Sequence, residues 1–482
     1  MIKYNRKQLE SKIYGCWLGK NIGGTMGTPY EGKRAMLDIN GFVTKPGEVL
    51  PNDDLDLQLI WLMAAEIEGL TKLNANILAE YWTSFIPANW NEYGVGKNNL
   101  KAGFMPPLSG EYENEMWKDS NGAWIRSEIW ACMAPGFPNI AAKYAFADAC
   151  IDHGMAEGTY AEIFTACLES YAFFESDIRK LVELALARIP ADCDVARCVK
   201  LVLENYDKGV DYREVRDMLV KDFKDEDWFQ APENVAYVVI GLMYGEGDFK
   251  KTMIYAINCG DDTDCTGATV GAILGIVYGR EGIPSDWAEY LGDNIVTVAI
   301  DRTNIAHHMP KTCTELTQRV MAMIPFMFKA HGIDMEYTDG ETDISDEKAQ
   351  NTLVGIEKKL FDRLPYSYDG PDNMCVGSIV EFFEKPTISE GESIKVRIRF
   401  FNKVYDQRHL NIKVILPESW SCSPYKRDVY LNQQVYHSPA EGYAWEVTLT
   451  AGERVEPMNR AIVQVTVPGR PTTLLIPITI AG

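Results

Sequence analysis

The sequence has no paired C-x-x-C spacing, few histidines, no long apolar run and a shortage of positive charge, and each lack narrows the field. Eleven cysteines are scattered and odd in number, several of them (Cys150, Cys167, Cys259) within apolar stretches of helical period, which argues for reduced thiols and a cytoplasmic setting. Of the 6 histidines two are adjacent, His307 and His308, and none shows the i, i+4 pairing of a zinc helix. No run approaches the roughly 20 apolar residues needed to span a bilayer, and the opening residues contain no apolar signal segment, so the chain reads as soluble and untargeted. Lys and Arg number 47 against 69 Asp and Glu, a net charge of −22, which repels phosphate backbones and anionic lipids; nucleic acid and membrane are not expected partners.

What is present is a globular composition, 46% hydrophobic and 24% charged, long enough at 482 residues for two or three units, or for one large helical domain with a small one. Up to about residue 363 the apolar residues recur three or four apart, as over 148–174, 178–188 and 194–205, and predict helices. Residues 364–372, rich in Pro, Gly and Asp, read as a linker. Beyond it, alternating runs such as 393–401, 410–416, 443–449 and 461–467 predict an all-β sandwich of the immunoglobulin or fibronectin type over 373–482. Such a sandwich carries no chemistry by its fold alone; covering the helical domain, mediating oligomer contacts and binding carbohydrate are its candidate roles.

Two glycine ladders stand out. Gly15, Gly19, Gly23 and Gly27 fall every fourth residue, and so do Gly267, Gly271, Gly275 and Gly279. Each glycine within a helix costs roughly 1 kcal/mol against alanine, so the stripes need a compensating gain, and a side-chain-free groove that admits another backbone supplies one. Glu31 lies just past the first ladder and Asp261, Asp262 and Asp264 just before the second, so antiparallel packing of the two helices would bring these carboxylates together. A third cluster, Asn52, Asp53, Asp54 and Asp56, opens a helix running on through Leu59, Ile60 and Met63. Such residues serve as helix caps, but Asp56 falls on the apolar face, and a buried carboxylate needs a cation or hydrogen bonds. Three acid clusters without paired histidines favour oxygen ligands and Mg²⁺, Mn²⁺ or Ca²⁺.

These segments resemble the ADP-ribosylglycohydrolase family. Residues 15–32, with the first ladder and Glu31, are similar to its opening helix and glutamate; Asn52-Asp53-Asp54 stands where the family has Thr-Asp-Asp, and residues 258–265 resemble its Asn-x-Gly-Gly-Asp-Thr-Asp-Thr. Asn121-Gly122-Ala123 with Arg126, then Asp148 and His153-Gly154, are similar to its substrate-contacting loop and the helix after it. The resemblance covers roughly residues 10–300 and implies an all-α ADP-ribosylglycohydrolase-like domain over 1–363. It implies two Mg²⁺ ions, with Mn²⁺ or another divalent ion as substitute, held by Asn52, Asp53, Asp54, Asp262, Asp264 and Cys265. Glu31 and Asp54 are the catalytic candidates, Glu31 as base or gate, and Gly94, Gly96, Asn121, Gly122 and His153 the substrate-binding ones. Backbone N–H groups of the three glycines would cradle phosphates, His153 would touch ribose or base, and Arg126 would be an internal ion pair.

Three positions depart from the family pattern: Asn52 for a threonine, Asp56 for a neutral polar residue, and Cys265 for a threonine whose oxygen is a ligand. Sulfur is a poor Mg²⁺ ligand, which bears on the choice of ion. The expected activity is hydrolysis at the anomeric carbon of an ADP-ribosyl or related ribosyl group, on a small molecule or an ADP-ribosylated substrate. The alternatives are a glycosidase for another sugar or nucleoside, and a non-catalytic member like the lens crystallins that share the resemblance.

Overall fold

The computed structural model describes residues 1–223, 227–301, 305, 308–433 and 442–482, so His307 lies outside the described residues. The chain divides into two compact units, one formed by Met1–Gly94 and Glu115–Phe361, the other by Val95–Asn114 and Asp362–Gly482. Among the described residues no helix is long and apolar enough to cross a membrane. All eleven cysteines are free thiols, ten of them buried.

The first unit is helical, apart from a short parallel strand pair, Ile2–Asn5 with Met335–Thr338. The helical period expected over 148–174 is divided between Pro138–His153 and Glu157–Ala172, because Gly154 takes the left-handed φ of 56° that ends the first of them. The other two expected helices are Ile178–Leu186 and Asp194–Asp207.

Three helices set up the site. Arg6–Gly27 begins at Asn5, whose side chain accepts from the Gln8 N–H, and Asp53–Glu68 begins at Asn52, whose side chain accepts from the Asp54 N–H. Thr263–Tyr278 carries the second ladder. Thr263–Tyr278 is buried along nearly its whole length and Arg6–Gly27 from Gly15 onward, so neither shows one polar face along its ladder.

The second unit is a β-sandwich. One antiparallel sheet runs in the order Leu474–Ala481, Met458–Thr466, Arg408–Ile415, Lys426–Leu431; the other runs Ser367–Asp369, Val376–Phe382, Ser393–Asn402, Tyr443–Thr450, Ser421–Ser423. Alternate residues of each strand point inward, so Val396, Ile398 and Phe400 of one sheet share a core with Ile412, Val463 and Ile476 of the other. Phe104 and Leu108 belong to the same core, which draws residues 95–114 into this unit. The stretch expected as a linker supplies the strand Ser367–Asp369, with Tyr368 buried.

Candidate metal centre

The two glycine ladders face each other. Gly15 lies against Gly275, Gly19 against Gly271, Gly23 against Gly267, and Gly27 against Thr263, so the helices run antiparallel with their backbones touching. A methyl group at Gly19 or Gly23 would collide with a carbonyl of the opposite helix, and no side-chain rearrangement can relieve a clash with backbone. Where the first helix ends the second begins, and the junction is tied: the Thr263 hydroxyl donates to the Gly27 carbonyl at 2.9 Å, the Gly32 N–H to the Asp261 carbonyl at 2.9 Å, and the Asp261 N–H to the Lys33 carbonyl at 3.0 Å. Gly260, at φ 80°, is the hinge of this turn; a side chain there would strike the Lys33 and Ala35 carbonyls.

This junction gathers the acids of all three clusters. Glu31, Asp262 and Asp264 each place a carboxylate oxygen within 4.8 Å of the others, and one ligand atom each from Asp54, Asp264 and Cys265 lies within the same mutual distance. Asp264 belongs to both groups, so the two share one carboxylate. Asn52 takes the N-cap of its helix, its oxygen accepting from the Asp54 N–H at 2.8 Å; Asp53 and Asp54 are thereby relieved of capping.

The carboxylates lack enough cations and donors of their own. Oδ1 of Asp262, Oδ1 of Asp264 and Oδ2 of Asp54 are buried and accept no hydrogen bond. Burial pushes Asp262 and Asp54 well above the ordinary carboxylate range, with Asp264 adding its repulsion to both. Burial and then Asp264 raise Asp53 to about 6, and the same two causes, joined by Asp53, raise the Glu31 carboxyl to about 8. Glu31 is exposed as a residue, yet its carboxyl reaches down among the others. Buried, mutually repelling oxygens with no donors are what divalent cations satisfy, so the residues present fit the metal that the sequence implied.

Several supports were not legible in the sequence. Lys20, on the first ladder helix and fully buried, donates to the Ile125 carbonyl and to Glu128 at 2.7 Å each, and its Nζ lies 3.9 Å from Asp54. The Gln58 amide bridges the Asp54 carbonyl and Glu128 at 2.8 Å each. Tyr93 donates to Asp53 at 3.2 Å. Asn234 accepts from the Asp262 N–H at 3.1 Å. Asn121, expected at the substrate, donates to Oδ2 of Asp262 at 2.7 Å while the Trp124 indole donates to its side-chain oxygen, so this residue orients the Asp262 carboxylate.

Other expected site residues lie elsewhere or are differently engaged. The phosphate-cradling turn expected at Gly94 and Gly96 is instead part of the helix Asn91–Ala102; the Gly94 N–H is spent on the Trp90 carbonyl, and Gly96 belongs to the second unit. Gly122 packs against Glu92 and Tyr93, and its carbonyl accepts from Arg126. His153 is wholly buried with both ring nitrogens engaged, by Asp152 at 2.9 Å and Ser120 at 3.3 Å, so no nitrogen is left for the ribose contact the resemblance implies. Arg126 is the internal ion pair expected, bound to Asp148 and Asp152 at 2.8 Å each. Asp56 is buried on the apolar face as expected, and its carboxylate accepts from the Val298 and Ala299 N–H groups at 2.5 and 2.6 Å, which anchors that segment.

The chain is similar to several known proteins. An uncharacterized protein of Archaeoglobus fulgidus is 24% identical over 305 residues, covering 59% of this chain and 93% of its own. A solved structure described as an ADP-ribosylglycohydrolase-related protein complex is 19% identical, with a TM-score of 0.47 over 66% of this chain and 99% of its own. A FixG-related protein from Vibrio parahaemolyticus is 13% identical, with a TM-score of 0.19 over 22% of this chain and 94% of its own. The sequence model of the ADP-ribosylglycohydrolase family matches residues 5–319, a span that holds both ladders and every acid of the site. The chain therefore belongs to the ADP-ribosylglycohydrolase family.

Proposed function

We propose that this protein is a divalent-cation-dependent glycohydrolase that cleaves the bond at the anomeric carbon of an ADP-ribosyl or related ribosyl group. The observation that carries the reading is the pair of overlapping ligand groups sharing Asp264, in which one oxygen each of Asp54, Asp262 and Asp264 is buried without a hydrogen-bond donor. Mg²⁺ or Mn²⁺ bound there would orient the sugar hydroxyls and stabilise developing negative charge. Asp54, Asp262 and Asp264, with Asp53 beside them, are the ligands, and Asn121 keeps Asp262 turned toward the site.

Glu31 is the base. It alone among the clustered acids is exposed, so it can meet water, and its carboxylate, standing beside Asp262 and Asp264, is placed to take a proton from that water. As the water oxygen bonds to the anomeric carbon, the released proton passes to Glu31, and the bond to the leaving group breaks with its electron pair departing on the leaving atom. The partner is thus a small molecule or a modified protein bearing the ribosyl group.

The test is product analysis. The protein is incubated with ADP-ribosylated arginine and serine peptides and a panel of other glycosides, with Mn²⁺ or with EDTA. The expected result is release of ADP-ribose that requires the cation and is lost in Glu31→Gln. Cleavage of another glycoside alone replaces the glycone assignment, and full activity in EDTA removes the metal.

A further inference from the structure

Cys265 puts a sulfur among oxygens. It stands in the first turn of the helix Thr263–Tyr278, 4% exposed, and its thiol donates to Oδ1 of Asp54 at 3.5 Å. A buried cysteine often does no more than fill space as a small hydrophobe. Here its neighbours are carboxylates, and its sulfur and one oxygen each of Asp54 and Asp264 lie within 4.8 Å of one another. Ligands of a tetrahedral ion with bonds of about 2.0–2.3 Å stand roughly 3.5 Å apart, so closing this trio onto an ion requires movements of no more than about 1 Å. Independently of the cysteine, Asp264 is 95% buried, and its Oδ1 has no hydrogen-bond partner. The trio of Glu31, Asp262 and Asp264 offers oxygen alone.

We propose that the two cation positions of this site are chemically unlike: Asp54, Asp264 and Cys265 hold a borderline-soft ion such as Zn²⁺ or Co²⁺ through the Cys265 sulfur, and Asp262 and Asp264, with Glu31 beside them, hold a hard ion such as Mg²⁺ or Mn²⁺. The inference rests on the metal dependence proposed above and assigns the ion class to each half. On binding, the S–H bond gives up its proton to solvent and the freed electron pair of sulfur forms the bond to the metal; nothing is oxidised or reduced. Thiolate selects zinc-like ions, whereas carboxylate and water suit Mg²⁺ and Mn²⁺.

The experiment is titration of the full-length, metal-stripped, reduced protein with Co²⁺, followed by absorption and calorimetry, in wild type and Cys265→Ser, with Mg²⁺ titrated in parallel. The wild type is expected to develop a near-ultraviolet sulfur-to-cobalt charge-transfer band. In Cys265→Ser that band is lost and one Co²⁺ site weakens by about tenfold or more, while Mg²⁺ binding persists. Visible cobalt bands without the charge-transfer band would overturn the sulfur position and leave the metal site standing. Absence of binding by Co²⁺, Mn²⁺ and Mg²⁺ alike would remove both. If the variant does not fold, the wild-type spectrum alone decides.

Discussion

Lys20 occupies the middle of a buried helix, where an ammonium group is tolerated only with partners, and it has three: a carbonyl, Glu128 and, more distantly, Asp54. Its positive charge is the fixed counterpart to a site otherwise made of carboxylates. Lys20→Met keeps the volume but strands Glu128, and should cost about 3–5 kcal/mol of stability in chemical denaturation. Adding Glu128→Gln removes the stranded charge and should recover part of that loss, whereas a double variant no better than the single one would show that the pair is not what matters. Asp262→Asn behaves oppositely. It removes a charge that burial and Asp264 already disfavour, so the metal-free protein should be as stable as wild type or more so, while divalent-cation affinity falls by more than about 100-fold in calorimetry. Unchanged affinity would take Asp262 out of the ligand set.

At the scale of the element, the ladder helices depend on backbone contact along their length. Gly19→Ala forces a methyl into the Gly271 carbonyl and should cost about 3 kcal/mol or more, the upper end for overpacking, because backbone cannot step aside. Gly41→Ala, with nothing within 4 Å, is the control and should change stability by less than about 0.5 kcal/mol in the same urea titration. Equal effects at both positions would mean that the ladder does not clamp the helices. The ladders were legible because their period is local: four-residue spacing predicts a groove, and acids at opposite ends of two grooves predict a meeting point. What was not legible depends on distant partners. A lone lysine such as Lys20 reads as solvated until Glu128, 108 residues away, is placed beside it. Gly94 and Gly96 read as a turn by residue type, yet the helix Asn91–Ala102 continues through both. Phe104 and Leu108 join a core formed by strands that begin about 260 residues later, beyond the reach of local periodicity. Tyr368, within a stretch of helix breakers, is held by its strand pairing with Val380.

For the molecule as a whole, an excess of 22 negative charges makes pH a probe of the site. Glu31 at about 8 and Asp53 at about 6, with Asp54 and Asp262 also raised, bind protons more tightly folded than unfolded, where carboxyls titrate near 4. The stability they contribute is therefore fully present below about pH 4 and is lost as pH rises through the folded values, toward about 8. Asp152, held down to about 2 by Arg126 and His153 despite its burial, works in the other direction, so the absolute melting temperature mixes the two trends. The change in melting temperature on adding Mn²⁺ isolates the site, since the cation competes with its protons: the rise should be larger at about pH 8 than at about pH 5.5. A rise independent of pH would mean that Mn²⁺ binds away from these acids.

The proposed function requires Asp264 to join two ligand groups into one cation site that receives a ribosyl ligand. Its most direct test is calorimetric titration of the metal-stripped protein with ADP-ribose, with and without Mn²⁺, in wild type and Asp264→Asn. ADP-ribose binding that appears only with Mn²⁺ and disappears in Asp264→Asn is the predicted result. Binding of equal strength without the cation, or undiminished in the variant, would contradict it.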